Sequence, residues 1–206
     1  MIDKQELVAE YNTYYTNEPD KWHDDTRNEF AFNAINSHLS KPPDTALDVG
    51  CGNGHTIKYF ADRWPDTRFT GLDISPVALE IAHKLNPKAE FYKSFIEDIV
   101  FSKPFDLVIL LGVAEHLENI QPSLQAVREV INRNGICYME IPNCIGYPNS
   151  DKVEGYRRIN IGSRQYEWHL YRDTWDREFE KAGLRIVQSL KGVNIHTEFC
   201  YLLEVA

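Results

Sequence analysis

The stretch on which the reading turns is Thr45-Ala46-Leu47-Asp48-Val49-Gly50-Cys51-Gly52-Asn53-Gly54. Its first half is a short apolar run of the kind that forms a buried strand, and its second half sets three glycines at alternate positions. Glycine has no Cβ to obstruct a sharp bend or the close approach of backbone to a ligand. Beyond the loop, Ile57, Phe60, Ala61 and Trp64 recur at helical spacing. Strand, glycine loop and helix together open a parallel α/β unit, whose ligands bind outside the carboxyl ends of the strands.

Working outward, the same alternation continues. Apolar runs predict strands at Thr45–Val49, Arg68–Leu72, Ala89–Tyr92, Phe105–Leu111 and Gly135–Ile141. Between them lie helical stripes: Ala78, Ile81, Ala82 and Leu85 after the capping pair Ser75-Pro76, then Leu124, Val127 and Ile131 in a segment starting at Pro122. Trp175, Phe179 and Ala182 mark a last helix stopped by Gly183. Two β-like runs follow, Leu184–Leu190 and Glu198–Val205, with Gly192 and Asn194 in the turn region. So short a link makes these two strands antiparallel neighbours, because a parallel crossover needs about a dozen residues or more. The fold class expected is α/β, a Rossmann-like doubly wound sheet of seven strands, mostly parallel, with an antiparallel edge hairpin.

Upstream, Leu7, Val8, Tyr11, Tyr14 and Tyr15 fall on one helical face, and Phe30, Ala34, Ile35 and His38 form a second stripe beyond Pro19. These predict an N-terminal helical cap over 1–44, followed by a cofactor-binding core over 45–141 and an acceptor-side insert and edge hairpin over 142–206, all in one domain. The whole sequence of 206 residues carries 22 Lys and Arg against 31 Asp and Glu, a formal charge of −9. Such a balance speaks against a general nucleic-acid binder, which needs a basic face. No apolar run approaches the roughly 18 residues needed to span a bilayer, and the charged start is unlike a secretory signal. Cys51, Cys137, Cys144 and Cys200 show no metal-ligand spacing and read as reduced thiols of a cytoplasmic protein.

The cofactor follows from spacing and charge. A dinucleotide site wants G-x-G-x-x-G with a helix N-terminus aimed at the pyrophosphate. Here the loop is G-x-G-x-G, and Asp48 precedes the first glycine by two residues, an acid that would repel a pyrophosphate and suit an ammonium group. Asp73, in Gly71-Leu72-Asp73-Ile74, ends the second strand, where a carboxylate can accept hydrogen bonds from ribose hydroxyls. A molecule with an amino-acid end and a ribose end satisfies both acids: S-adenosyl-L-methionine, whose spent form is S-adenosyl-L-homocysteine.

LDVGCGNG, the acid of GLDIS, FDLVILLGVAEHL and VINRNGICYMEIPN, in that order, resemble the class I S-adenosylmethionine-dependent methyltransferases, over about residues 45–190. The chain is similar in particular to the small-molecule branch that includes ubiquinone O-methyltransferases. The resemblance implies that Asp48, Gly50, Cys51 and Gly52 line the methionine portion of the cofactor and that Asp73 holds the ribose. It also puts Ile74 against the adenine, Glu97 and Asp98 at the adenine edge, and Leu111 near the reactive centre. Arg27 matches a position where relatives pair with the methionine carboxylate. The chain departs from the pattern at Phe95, where an Asp is common, at Arg133-Asn134-Gly135-Ile136, which keeps one glycine of the usual turn, and at Gly112. That last position carries a metal-binding Glu in some relatives, so no metal is expected with Glu115 and His116.

His116 and His169 are the candidate catalytic residues. An imidazole near its neutral pKa can take a proton from the acceptor, although either ring could instead shape its loop through hydrogen bonds. The aromatics Tyr11, Tyr14, Tyr15 and Trp22 could pack on the core or cover a sulfonium by cation–π attraction. Arg157, Arg158 and Arg164, with Tyr156, Tyr166 and Tyr171, could read a carboxylate or phosphate on a small acceptor, or be solvated. The expected activity is methyl transfer to O, N or C of a small molecule. The alternatives are a non-catalytic cofactor-binding domain and a nicotinamide-dependent oxidoreductase; oligomeric state is unreadable.

Overall fold

The computed structural model describes residues 3–20, 23–98, 100–142, 155–158, 166–192 and 198–206. Two helices form the cap, α1 (Lys4–Asn17) and α2 (Asp25–His38), each started by an aspartate side chain. Asp3 accepts from the backbone N–H groups of Gln5 and Glu6, and Asp24 from those of Thr26 and Arg27. Capping of this kind satisfies donors that the first helical turn leaves unpaired. Strand β1 (Thr45–Val49) then leads through the glycine loop to α3 (His55–Ala61), and β2 (Arg68–Asp73) leads to α4 (Pro76–Leu85), capped by Ser75. Next come β3 (Glu90–Lys93), β4 (Phe105–Leu111), α5 (Ile120–Val130), β5 (Ile131–Pro142), β6 (Gly155–Arg158), β7 (Tyr166–His169), α6 (Arg172–Lys181), β8 (Leu184–Lys191) and β9 (Glu198–Val205).

Seven strands make one sheet in the order β3-β2-β1-β4-β5-β9-β8. The first five run parallel, and β9 pairs antiparallel with both β5 and β8. The mostly parallel sheet with an antiparallel edge pair is thus as the sequence led us to expect. The central strands β1, β2 and β4 bury both faces, whereas the edge strands β3 and β8 are partly exposed. In β4, Val108 and Leu110 face the α5 and α6 side with Leu124, Trp175 and Phe179, while Leu107 and Ile109 join Ile35, Phe60 and Leu79 on the other.

Three features differ from the sequence expectations. Helix α5 starts at Ile120, so Pro122 stands third in it, inside the first turn where a missing N–H costs nothing. Ile131 opens β5, and 132–135 continue that strand across a register shift opposite Phe105–Leu107. The insert contributes the two-stranded ribbon β6–β7, which no periodicity announced.

The chain runs from β1 outward through β2 to β3, then returns to lay β4 on the other side of β1. A crevice opens at the carboxyl ends of the strands where the order reverses, and Asp48, the glycine loop, Asp73 and Leu111 sit there. No helix among the described residues is long and apolar enough to cross a membrane.

Candidate active site

Gly50, Gly52 and Gly54 all adopt left-handed backbone, with φ of 68°, 51° and 81°. The bend is fixed from the neighbouring strand. The N–H groups of Gly50 and Cys51 donate to the Leu72 carbonyl at 2.7 and 3.0 Å, and that of Gly52 donates to Asp73 Oδ2 at 2.8 Å. A side chain at Gly50 would run into Val113, and one at Gly52 into the Tyr15 hydroxyl. The loop is therefore cradled by residues beyond β4 on one side and by α1 on the other.

Two buried carboxylates flank it. Asp73 closes β2 and accepts a second hydrogen bond from the Ser75 N–H at 2.8 Å. Burial pushes its pKa up, against the pull of the backbone N–H groups of Ser75, Gly52 and Ile74. Asp48 is 3% exposed, and its Oδ2 accepts no hydrogen bond among the described residues. Its pKa is pushed up to about 8, first by burial and then by the charge of Asp73, while Arg27 opposes the rise. A buried acid with an unused oxygen is a ready partner for a cation arriving from the crevice.

The crevice encloses about 480 Å³. Gly50, Asp73, Ile74, Ile96, Glu97, Leu111, Gly112, Val113, His116, Asn119 and Glu167 line it, and Leu7, Tyr11 and Tyr15 of α1 form the roof. Seven of the expected site residues thus meet on one cavity: Arg27, Gly50, Asp73, Ile74, Glu97, Leu111 and His116. Asp48, Cys51 and Gly52 form the wall behind it. Burial pushes the Cys51 thiol well above its usual pKa, so this residue is a small buried spacer. Asp98 turns away from the cavity and pairs with Lys4 of α1 at 2.7 Å. Phe95 lines the wall with Lys4 Nζ 4.3 Å above its ring. Ser123 donates to the Glu97 carboxylate.

Arg27 reaches the cavity from α2, and its Nε donates to Glu140 of β5, a residue only 2% exposed. The guanidinium fills the space where Gly112 lacks a side chain; a Cβ there would stand 2.6 Å from Nη2. Glu140 was absent from the sequence-based site, yet a lone acid in the apolar run Ile136-Cys137-Tyr138-Met139-Glu140-Ile141 was itself the signal, since a buried charge requires a partner.

At the other end, His116 closes a 3₁₀ turn, Ala114–His116, with its Nε2 3.9 Å from the Glu115 carboxylate. Strand β7 lands on this turn: the Trp168 indole N–H donates to the Leu117 carbonyl at 2.7 Å. That contact brings in Glu167, which lines the cavity, and behind it His169, whose Nε2 lies 3.2 Å from Glu167. Burial raises the Glu167 pKa, His116 opposes the rise and Glu115 adds to it. Glu167 is the second residue the sequence reading missed, because an acid in a polar insert reads as solvated. Among the described residues, no three His, Cys, Asp or Glu side chains are grouped to hold a metal. Trp22, Cys144, Arg164 and Asn194 lie outside the described residues, and Arg157 and Arg158 stand in β6.

The sequence matches the methyltransferase domain family over residues 47–137. It is 33% identical over 92 residues to a malonyl-[acyl-carrier protein] O-methyltransferase of Acetivibrio thermocellus, covering 44% of this chain and 32% of that protein. It is 32% identical over 123 residues to a ubiquinone biosynthesis O-methyltransferase of Rickettsia bellii, covering 57% of this chain and 50% of that one. The chain thus spans between about a third and a half of the length of these curated relatives. Among solved structures it resembles a 1,6-didemethyltoxoflavin-N1-methyltransferase of Burkholderia thailandensis with bound 1,6-didemethyltoxoflavin and S-adenosylhomocysteine. That likeness has a TM-score of 0.77 at 16% identity, over 98% of this chain and 90% of the other.

Proposed function

We propose that this chain, a class I S-adenosylmethionine-dependent methyltransferase, moves the donor's methyl group onto an oxygen or nitrogen, or a carbon, of a small-molecule acceptor. The observation that carries the reading is the pair of buried acids on either side of a left-handed glycine bend, one of them with a buried oxygen that accepts no hydrogen bond among the described residues. These residues fit a ligand with an ammonium at one end and a ribose at the other. Asp48 would hold the ammonium, Asp73 the ribose hydroxyls, and Ile74 and Ile96 the adenine faces, with Glu97 at the adenine edge.

When bound, the donor supplies a methyl carbon on a sulfonium, which is already electrophilic. What the chain adds is position and dryness. Leu111 ends β4 on the cavity wall and His116 lines the same cavity, so a nucleophile held beside His116 would share the cavity with the donor. Holding reacting atoms in line at near-attack distance supplies much of the rate in such a displacement. Tyr11 and Tyr15 exclude water from above. The His116 imidazole, on the cavity wall, receives the acceptor's proton, and Glu115 and Glu167 stabilise the resulting cation.

Isothermal titration with S-adenosylhomocysteine tests the donor reading: micromolar binding to the wild type, weakened at least tenfold with Asp73→Asn, is the expected result, and no binding to the wild type overturns it. His116→Ala and His169→Ala should keep that affinity within threefold. Matched titrations with NAD decide against the oxidoreductase alternative if heat appears only with the homocysteine compound.

A further inference from the structure

We propose that Glu167 is a positioning residue that serves both imidazoles of the site, orienting His169 and stabilising the proton that His116 takes from the acceptor. The inference rests on the reading of His116 as the proton acceptor. Its basis is a convergence of two segments about 50 residues apart in the chain.

The turn Ala114–His116 contributes Glu115 and His116; β7 contributes Glu167 and His169. Trp168 pins the two segments together through Leu117. Glu115 and Glu167 are 5% and 8% exposed, so neither carboxylate is an ordinary solvated charge. Both Glu167 and His116 line the cavity, and Glu167 Oε2 stands 3.2 Å from His169 Nε2. The charge of His116 lowers the Glu167 pKa and that of Glu115 raises it, so the three groups sense one another. Tyr11 in the roof also feels the charges of Glu115 and Glu167, Glu118 lines the same cavity, and Arg157 stands opposite Glu167 in the β6–β7 ladder.

The step this supports is a proton transfer. The acceptor's O–H or N–H bond breaks, its electron pair stays on the oxygen or nitrogen for the new bond to carbon, and the proton goes to an imidazole nitrogen of His116. The ring becomes a cation in a cavity that holds two buried carboxylates, Glu115 at 3.9 Å and Glu167 on the same wall, and the net negative charge there is reduced. A neutral side chain in place of Glu167 would remove one of the buried carboxylates of this cavity from the imidazolium, and from His169 the carboxylate at 3.2 Å from its Nε2. An opposite charge within about 4–6 Å moves a pKa by roughly one to three units.

The test is the titration of the histidine ring signals by NMR in the full chain, with His116 and His169 assigned from His116→Gln and His169→Gln. Glu167→Gln should lower the midpoints of both rings by about one pH unit, a tenfold loss of proton affinity, while Glu167→Asp restores most of it. Both variants should bind S-adenosylhomocysteine within threefold of the wild type. A midpoint for either ring that stays within about 0.2 unit in Glu167→Gln overturns the proposal, as does movement of His169 alone. If Glu167→Gln fails to fold, the wild type still decides. Both rings should show a second inflection at the titration of the Glu167 side-chain carboxyl, and the absence of that inflection from the His116 signal refutes the shared role. A wild type that binds no S-adenosylhomocysteine would remove the donor reading, and the ring titrations, run without ligand, would still judge Glu167.

Discussion

Asp48→Asn should make the protein more stable and bind its donor less tightly, and the size of both effects should depend on pH. The Asp48 carboxyl ionises near pH 3.8 in an unfolded chain and near 8 in the folded one. Between those values the folded chain holds a proton that the unfolded chain releases, so stability falls as pH rises through the window and is level on either side. About four pH units at ~1.4 kcal/mol per unit set a ceiling of ~6 kcal/mol. Relaxation and water entry reduce it, and about 2–3 kcal/mol is the expected gain for the amide at pH 8 relative to pH 4. An asparagine, neutral in both states, has no such slope. Its own hydrogen-bond differences shift the curve by a constant, and only the pH dependence identifies the carboxyl.

The assay is urea unfolding of wild type and Asp48→Asn at intervals from pH 5 to pH 8.5. The stability difference should grow steadily in favour of the variant up to about pH 8 and then flatten. S-adenosylhomocysteine titrations across the same range should show the reverse dependence on function. In the wild type, affinity rises towards pH 8 as the carboxylate forms to meet the ammonium, with a proton released on binding, and in the variant that component is missing. A stability difference that does not change between pH 5 and 8 would show Asp48 already ionised in the folded protein and would refute the argument from its buried, unbonded oxygen.

Asp73→Asn should weaken S-adenosylhomocysteine at least tenfold by isothermal titration, since it removes a carboxylate that already organises Gly52 and Ser75 through their N–H groups. Gly52→Ala forces a side chain into φ of 51° and into the Tyr15 hydroxyl; it should cost about 1–2 kcal/mol for the backbone plus the displacement of Tyr15. Adding Tyr15→Phe should recover part of that loss in a double-mutant cycle read by chemical denaturation. Arg27→Ala removes the cation that pairs with the buried Glu140 and should destabilise by about 3 kcal/mol or more. Adding Glu140→Gln should return most of that, and an Arg27→Ala chain as stable as wild type would dissolve the pairing.

The proposed donor end of this site is written in local sequence, and the proposed acceptor end is not. Strands buried on both faces leave continuous apolar runs, and a loop that requires left-handed backbone leaves glycines. For that reason β1, the bend and Asp73 could all be read from the residues between 45 and 73. The same logic fails where one residue serves two patterns. Ile131 completes the helical stripe of Leu124 and Val127, yet its backbone pairs with Phe105, so tertiary pairing and not periodicity ends α5. It fails again for the four-residue strands of the β6–β7 ribbon, whose residues, GYRR and YEWH, alternate too little to signal a strand. And it cannot find partners across distance: Arg27 meets Glu140 over 113 positions, and Glu167 meets the His116 turn over about 50. Those long-range meetings turn residues that read as surface charge into buried ones, and burial is what gives them chemistry. Acceptor recognition in this chain should accordingly change through substitutions around β7 and the His116 turn that leave every glycine-loop residue in place.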